Sequence, residues 1–463
     1  MEQQKKKNNR GKKILLVFGG LLLVTASIIF FLQLDIVSSK VSAQTLQHPS
    51  IFKGKILVAS DADVLATVYG DGMLNKVAGI EDSLSLISFD NNGNPFVESS
   101  VHASSSVVCW PAIIDYLPAK NIAYIAETRG VYKGNQQQVK DVWTDFPKGS
   151  KITVVDFSNA VSPKIVQEKV IGENIQGVSI NHDKTLLAAG SSEKGKEIII
   201  AKIDSTGLIT TAFYFTDKEI LSSTYDKNFN WFSGVKTIEF NPTENIITVN
   251  FNNTALAFFE VIIADNNIQL KKIGGSLEVG KCWSVGNWTP NGKYFILSDV
   301  NWGNSATGAI FNGKGKLISV AFNKNGDHKI MSQVKVGLSS EGFDVSPDGH
   351  YAIVSNMRRT YVPKNLNFIS GSKQASLSLV KINTETGELT NNGDEYLFDG
   401  ALPEDVIFDA ESNTIAVNVF HKKGEEHPTQ GWVEFWEIQN DELIKTDKKV
   451  MVTRGSNTMK LIK

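Results

Sequence analysis

Two carboxylates stand where a pair of acids could do chemistry. Glu341 and Glu404 each precede a short apolar segment, in Glu341-Gly342 and Glu404-Asp405, and the two segments are successive copies of one repeat. Neighbouring carboxyl groups can serve as general acid and base when one pKa is raised, or can bind a cation together. Alternatively, each glutamate pairs with Arg358 or Arg359 or faces water. The sequence leaves both interpretations open.

Familiar catalytic and metal-binding motifs are missing or incomplete. The stretch from Gly190 to Glu197 approaches a phosphate-binding P-loop, but Glu197 replaces the required Ser or Thr, and strands rather than a helix follow. HExxH, CxxC, EF-hand, CxxCH and GxSxG patterns do not occur. His421 and His427 share a loop with two glutamates, which predicts solvated loop charge in preference to a metal site. We therefore predict no metal site, exclude a c-type cytochrome and leave the cofactor unknown, with a non-covalent haem or a quinone still open.

The two cysteines occur in matching contexts, Cys109-Trp110 and Cys282-Trp283, in the first and fourth copies of the repeat. The matching pairs indicate either a functional rim or shared ancestry and packing. The first and fourth units of a seven-membered ring lie nearly opposite each other. We expect no disulfide between them, because a disulfide needs Cα atoms about 5 to 6 Å apart.

The N-terminus carries an export or anchoring signal. Residues 14–32 are uncharged and apolar, long enough to span a bilayer, and the first 13 residues have a net charge of +5. We predict a basic cytoplasmic tail at 1–13, a transmembrane anchor or signal segment at 14–34 and a linker at 35–50. A cut after Ala43 would instead release a secreted protein.

Composition limits the classes that remain. The chain has 463 residues, 41% hydrophobic and 21% charged, with a formal net charge of -2. These values are ordinary for a globular protein and exclude a disordered chain or a disulfide-stapled miniprotein. The part beyond the apolar run is mildly acidic, so we predict no nucleic-acid partner.

A strand, turn and strand pattern recurs about every 58 residues. Its turn position is occupied by Pro118, His182, Pro242, Pro290, Pro347 and Ala410, and we call these residues the turn column. Asp and Gly in Ser346-Pro347-Asp348-Gly349 suit a tight turn. The period fits a four-stranded propeller blade, and residues 51–463 have room for seven.

Six complete copies leave three strand-like segments at the N-terminal end and one at the C-terminal end. Residues 54–60 resemble a second strand, residues 83–100 resemble a third and a fourth, and Ser456 to Lys463 resembles a first strand. We therefore predict an all-β fold, a seven-bladed β-propeller over 51–463, whose last blade combines N- and C-terminal strands and so removes the free edge.

In this topology, the loops between strands d and a and between strands b and c share one face, which we call the loop-rich face. We expect a sugar or organic acid to bind there, with indoles stacking on apolar surfaces and guanidinium groups binding carboxylate oxygens. The candidate ligand-binding residues are Trp110, Glu127, Arg129, Trp283, Asn301, Glu341, Arg358, Arg359, Glu404 and His421. Asp299, Trp302 and Asp405 lie on the same face.

The segments VSPDGHYAIVSN from Val345 and NWTPNGKYFILSD from Asn287 resemble blades of the YVTN and lactonase-like seven-bladed propeller superfamily. The resemblance covers residues 51–463 and implies the fold. The superfamily includes sugar lactonases, surface-layer repeat proteins and binding modules, so the resemblance leaves the function open among these classes. It identifies no catalytic residue.

The sequence thus predicts a membrane-tethered or secreted extracytoplasmic module that binds a small ligand or a cell-envelope protein through its loop-rich face. The alternative is a lactonase-like hydrolase in which Glu341 or Glu404 activates water and an arginine stabilises the oxyanion.

Overall fold

The computed structural model describes residues 17–25, 27, 39–40, 45–47, 49–220, 234–264, 267–303 and 306–463. Most of the predicted tail, span and linker lies outside these residues, so the predicted division of the chain is not tested. Residues 17–25 are helical. Within the described ranges, no helix combines the length and the apolar character that crossing a bilayer requires.

Seven sheets of mainly antiparallel strands form the propeller predicted from the repeat. Strands a to d run outward from the axis in each blade. Blade 1 contains Ile114–Leu117, Ile122–Ala126, Lys151–Asp156 and Lys164–Val170. Blade 2 contains Gln176–Ile180, Leu186–Gly190, Ile198–Ile203 and Ile209–Phe215. Blade 3 contains Val235–Phe240, Ile246–Phe251, Ala255–Ala264 and Asn267–Glu278. Blade 4 contains Trp283–Trp288, Tyr294–Asp299, Lys314–Ala321 and Lys329–Leu338.

The last three blades keep this plan. Blade 5 contains Ser340–Val345, Tyr351–Asn356, Ala375–Ile382 and Asp394–Phe398, with Leu389–Thr390 paired to its third strand and Ser39–Lys40 parallel to its outermost strand. Blade 6 contains Val406–Phe408, Thr414–Val419, Gln430–Gln439 and Glu442–Thr453. Blade 7 contains Ser456–Ile462, Lys55–Ser60, Ser83–Phe89 and Pro95–His102, in that order from the axis. The predicted closure by both termini is confirmed, because Ser456–Ile462 pairs with Lys55–Ser60.

Burial explains the two kinds of strand pattern. Every residue of Ile246–Phe251 and of Thr414–Val419 is buried, because neighbouring blades cover both faces of a b strand. The outermost strands alternate, as Lys164–Val170 does, because one face is solvated. The predicted tight turn also forms: the Gly349 N–H donates to the Ser346 carbonyl (2.8 Å), and Gly349 has φ of 79°.

Long b–c loops cover the loop-rich face. They contain the short helices Val68–Asp71, Val142–Asp145 and Ala306–Phe311 and the 3-10 turn Lys364–Leu366, whereas the 3-10 turn Pro118–Lys120 belongs to an a–b turn. Apolar side chains from four of these loops, including Val68, Phe146, Tyr361 and Phe420, form one buried cluster with Trp302 of a fifth loop packed against it. We call this layer the loop cap.

Candidate functional site

A cavity of about 490 Å³ occupies the channel enclosed by the seven a strands. Its lining reaches from Thr237, Asp405 and Thr458 within the channel to Lys184 and Lys463 at the a–b turns. The loop cap covers the opposite end. The cavity therefore lies toward the a–b turn face, and its volume is typical of a small-ligand pocket.

One side chain from each blade forms a ring in this channel, which we call the lower ring. Six members lie three residues before the turn column, and in every blade the member pairs with the third residue of strand b. They are Asp115, Ser179, Glu239, Asn287, Asp344, Ile407 and Lys460. Glu239, Asn287, Asp344, Ile407 and Lys460 line the cavity.

Charge in the lower ring is concentrated around Lys460. Its ammonium lies 2.8 Å from Asp115 Oδ1. Burial opposes that charge, yet Asp115, Glu239 and Asp344 together raise the pKa of Lys460. Burial raises the pKa of Glu239 to about 8, with Lys460 and Lys184 opposing the shift. Burial also raises the pKa of Asp344 to about 6.

Three aspartates connect neighbouring blades around the channel. Asp115 accepts the Ile180 N–H (2.7 Å), and Asp344 accepts the Phe408 N–H (2.9 Å). Asp405 accepts the Met459 N–H (2.7 Å). The other carboxylate oxygen of each aspartate accepts the backbone N–H of the residue that follows it in the chain. Bonds of this kind hold the carboxylates in fixed positions, so the channel wall is preorganised.

A second, mostly polar set lies closer to the loop cap, in six blades six residues before the turn column, and we call it the upper ring. Its members are Ala112, Gln176, Lys236, Ser284, Glu341, Glu404 and Asn457, with Asn457 belonging to the strand that closes the ring. The pairing of strand a is irregular at Lys236, Ser284 and Glu341. A bulge re-aims side chains and breaks strict alternation.

The Glu341 and Glu404 carboxyl groups are brought together, as predicted. Their side chains are buried, and among the described residues neither has a hydrogen-bond or ion-pair partner. Burial, followed by the charge of Asp405, raises the pKa of Glu341 well above its usual range. Burial, followed by the charges of Glu341 and Asp61, does the same for Glu404. Burial therefore favours the protonated, neutral form of both carboxyl groups.

The predicted arginine partners point elsewhere. Arg359 donates to the carbonyls of Ile310 (2.8 Å), Ser370 (2.8 Å) and Asn312 (3.0 Å), and so stabilises the loop cap. Arg358 lies 3.7 Å from Glu395. The alternative in which Glu341 and Glu404 pair with these arginines is therefore wrong.

Other predicted site residues are buried beneath or within the loop cap. Trp110, Trp283 and Arg129 are buried, whereas Glu127 and Asn301 are half-buried. His421 accepts the Ala66 N–H (3.1 Å), and burial lowers its pKa to about 4, so it is neutral. Other parts of the protein thus cover these side chains wholly or in part. Their role in ligand binding stays a prediction.

Both cysteines are free and buried, so the expected absence of a disulfide between them is confirmed. Burial raises the pKa of each thiol. Both interact electrostatically with Lys236, whose pKa burial lowers to about 7.

An acidic group under the loop cap was missed by sequence analysis. Oxygen atoms of Asp61, Asp63 and Asp82 lie within 4.8 Å of one another. Burial raises the pKa of Asp61 to about 7, and the neighbouring Asp63 charge adds to the shift. The buried Arg454 guanidinium opposes it. The Asp-Ala-Asp spacing was the only signal, and alone it resembles an ordinary polar turn.

The fold is shared with solved seven-bladed propellers. A 6-phosphogluconolactonase-like protein from Bacteroides fragilis NCTC 9343 has a TM-score of 0.62 and 13% identity, over 90% of this chain and 100% of that one. A similar protein from Bacteroides uniformis ATCC 8492 has a TM-score of 0.58 and 12% identity, over 88% and 99%. A protein of unknown function from Desulfotomaculum acetoxidans DSM 771 has a TM-score of 0.56 and 9% identity, over 89% and 99%.

No protein-family model and no curated protein matches the sequence. At these identities, structural likeness shows the fold and leaves the activity open. The chain is a seven-bladed β-propeller, and its fold is similar to that of these solved propellers.

Proposed function

We propose that this propeller is a binding module that takes a small polar ligand into the lower half of its channel from the a–b turn face. The lower ring carries the proposal. It places carboxylate, amide and ammonium groups around one cavity, and backbone hydrogen bonds hold several of them in position. Because these groups are already held in position, they can orient a bound ligand without a large loss of side-chain entropy.

The proposal includes export, with the module tethered to the outer side of a membrane or secreted. The apolar run at 14–32 and its basic flank support this location. Protease treatment of intact cells expressing the full chain tests it. Digestion of the propeller without lysis, or its appearance in the medium, supports export, whereas protection until lysis contradicts it.

Thermal unfolding in the presence of a broad panel of small polar compounds tests ligand binding, because a ligand that binds only the native state raises Tm. Each active compound is then tested on Asp344→Asn, and on Glu411→Gln as a control. Glu411 is exposed in the a–b turn of blade 6, outside the cavity lining. A Tm rise lost in the first variant and kept in the second supports the channel. Equal rises in both variants contradict it.

Opening of a sugar lactone is the second candidate function. The buried pair Glu341 and Glu404 favours it, because burial raises the pKa of both carboxyl groups and a carboxyl group of raised pKa can act as a general acid. Arg359 instead donates to loop-cap carbonyls, and Arg358 lies beside Glu395, so neither supports an oxyanion site at this pair. The binding role is therefore the better supported of the two.

A further inference from the structure

We propose that the ligand of the channel is a small organic cation that carries one or two ammonium groups. This inference rests on the proposed binding function and specifies its chemistry.

Carboxylates outnumber cations in the enclosed part of the cavity. Glu239, Asp344 and Asp405 line it, and Lys460 is the one lysine of the lower ring. Asp115 already neutralises that lysine through a 2.8 Å ion pair. An anionic ligand would therefore disfavour the ionised form of these acids, whereas an ammonium group would favour their ionised form and be attracted to it in a medium of low dielectric constant.

A buried hydroxyl gives independent support for a ligand here. Thr458 is 1% exposed, its Oγ1 has no hydrogen-bond partner, and its side chain lines the cavity. Thr458 directly precedes Met459, whose N–H donates to Asp405. A buried polar atom without a partner is costly. An N–H donor beside Asp405 would satisfy this oxygen as well.

The spacing of the acids favours an organic cation over a metal ion. In the described part of the chain, Asp61, Asp63 and Asp82 form the one group of three candidate ligands within 4.8 Å, and it lies outside this cavity. No three of the described lower-ring carboxylates are therefore close enough to ligate one ion together. A flexible diamine can reach two of them with separate nitrogens.

The mouth does not oppose this assignment. Lys184 and Lys463 line the opening and are exposed, so water and salt screen their charges. The carboxylates deeper in the channel are screened much less. A cation would pass the exposed rim and be bound within the ring.

Three four-carbon probes separate the possible chemistries: 1,4-diaminobutane, 1,4-butanediol and succinate. Isothermal titration of the propeller should show binding of the diamine and binding at least tenfold weaker for the other two. Removing one charge-assisted contact, by Glu239→Gln or Asp344→Asn, should weaken diamine binding about tenfold or more. Glu411→Gln should leave it unchanged. Circular dichroism of each variant checks that the fold is retained.

The outcomes distinguish this inference from the proposed function. If succinate or butanediol binds as tightly as the diamine and loses affinity in Asp344→Asn, the channel binds ligands but the cationic class is wrong. If the diamine binds equally well to Glu239→Gln, Asp344→Asn and wild type, the location is wrong. If the diamine does not bind at millimolar concentration, the inference is overturned, and the thermal panel still decides the broader proposal.

Discussion

Arg454 provides a quantitative test of how the loop cap is held to the propeller. The side chain is fully buried. It donates to the carbonyls of Ala62 (2.6 and 3.1 Å), Pro428 (3.0 Å) and Leu74 (3.4 Å). Its positive charge also lowers the pKa of Asp61. Arg454→Met removes every one of these hydrogen bonds together with the compensating charge.

The expected loss follows from these contacts. A buried acceptor that loses its donor costs about 1 to 3 kcal/mol, and the carbonyls of Ala62, Pro428 and Leu74 all lose the donor Arg454. We expect Arg454→Met to lower the free energy of unfolding by about 4 kcal/mol. For a domain of this size, that loss corresponds to a Tm decrease of about 5 °C.

Arg359→Met is the matched control, because Arg359 also donates to three loop-cap carbonyls but has no comparable acidic neighbour. Chemical unfolding of both variants at pH 8 and pH 5 separates charge from hydrogen bonding. Asp61, with its pKa raised to about 7, is ionised at pH 8 and protonated at pH 5. Arg454→Met should therefore lose more stability at pH 8, and Arg359→Met should lose the same amount at both values. A loss below 1 kcal/mol, or the same pH dependence in both variants, would refute the reasoning.

Three further predictions concern buried titratable groups. The free energy of unfolding should rise by about 1 to 3 kcal/mol per pH unit as pH falls from 7 to 5. The reason is that the raised pKa values of Asp61, Glu239 and Asp344 let the folded state bind protons that the unfolded chain does not bind. A fall in the free energy of unfolding on acidification would contradict this prediction. If the propeller opens sugar lactones, Glu404→Gln should abolish turnover while Glu411→Gln retains it, and a wild type inactive on a panel of lactones ends that hypothesis. Ellman's reagent should label neither Cys109 nor Cys282 in the folded protein and both in denaturant, because burial raises both thiol pKa values; rapid labelling under native conditions would show that the thiols are accessible.

The blade count and the closure of the ring could be predicted because both depend on local patterning. Pro347 and Gly349 specify a turn, and the alternation around them specifies two strands, so each copy can be recognised alone. The lower ring could have been predicted as well. It lies at a constant offset from the turn column, and strict alternation holds between them.

The loop cap could not be predicted, because it follows no repeat, and the upper ring could not be predicted, because irregular strand pairing separates it from the strict alternation of the lower ring. Val68, Phe146 and Tyr361 lie in loops of different length and meet only through tertiary packing. The irregular pairing at Glu341 changes which side chains point inward, and alternation gives no warning of it. Because the sequence does not reveal this packing, the arginines and indoles of the loop-rich face were predicted to form an exposed site, although they are buried.

The most direct test of the central claim is a crystal structure of the propeller with 1,4-diaminobutane bound. We expect density for the diamine on the channel axis, with its nitrogens within hydrogen-bonding distance of Glu239 or Asp344 and near Thr458. Diamine density on the loop-rich face, with only water in the channel, would contradict the account.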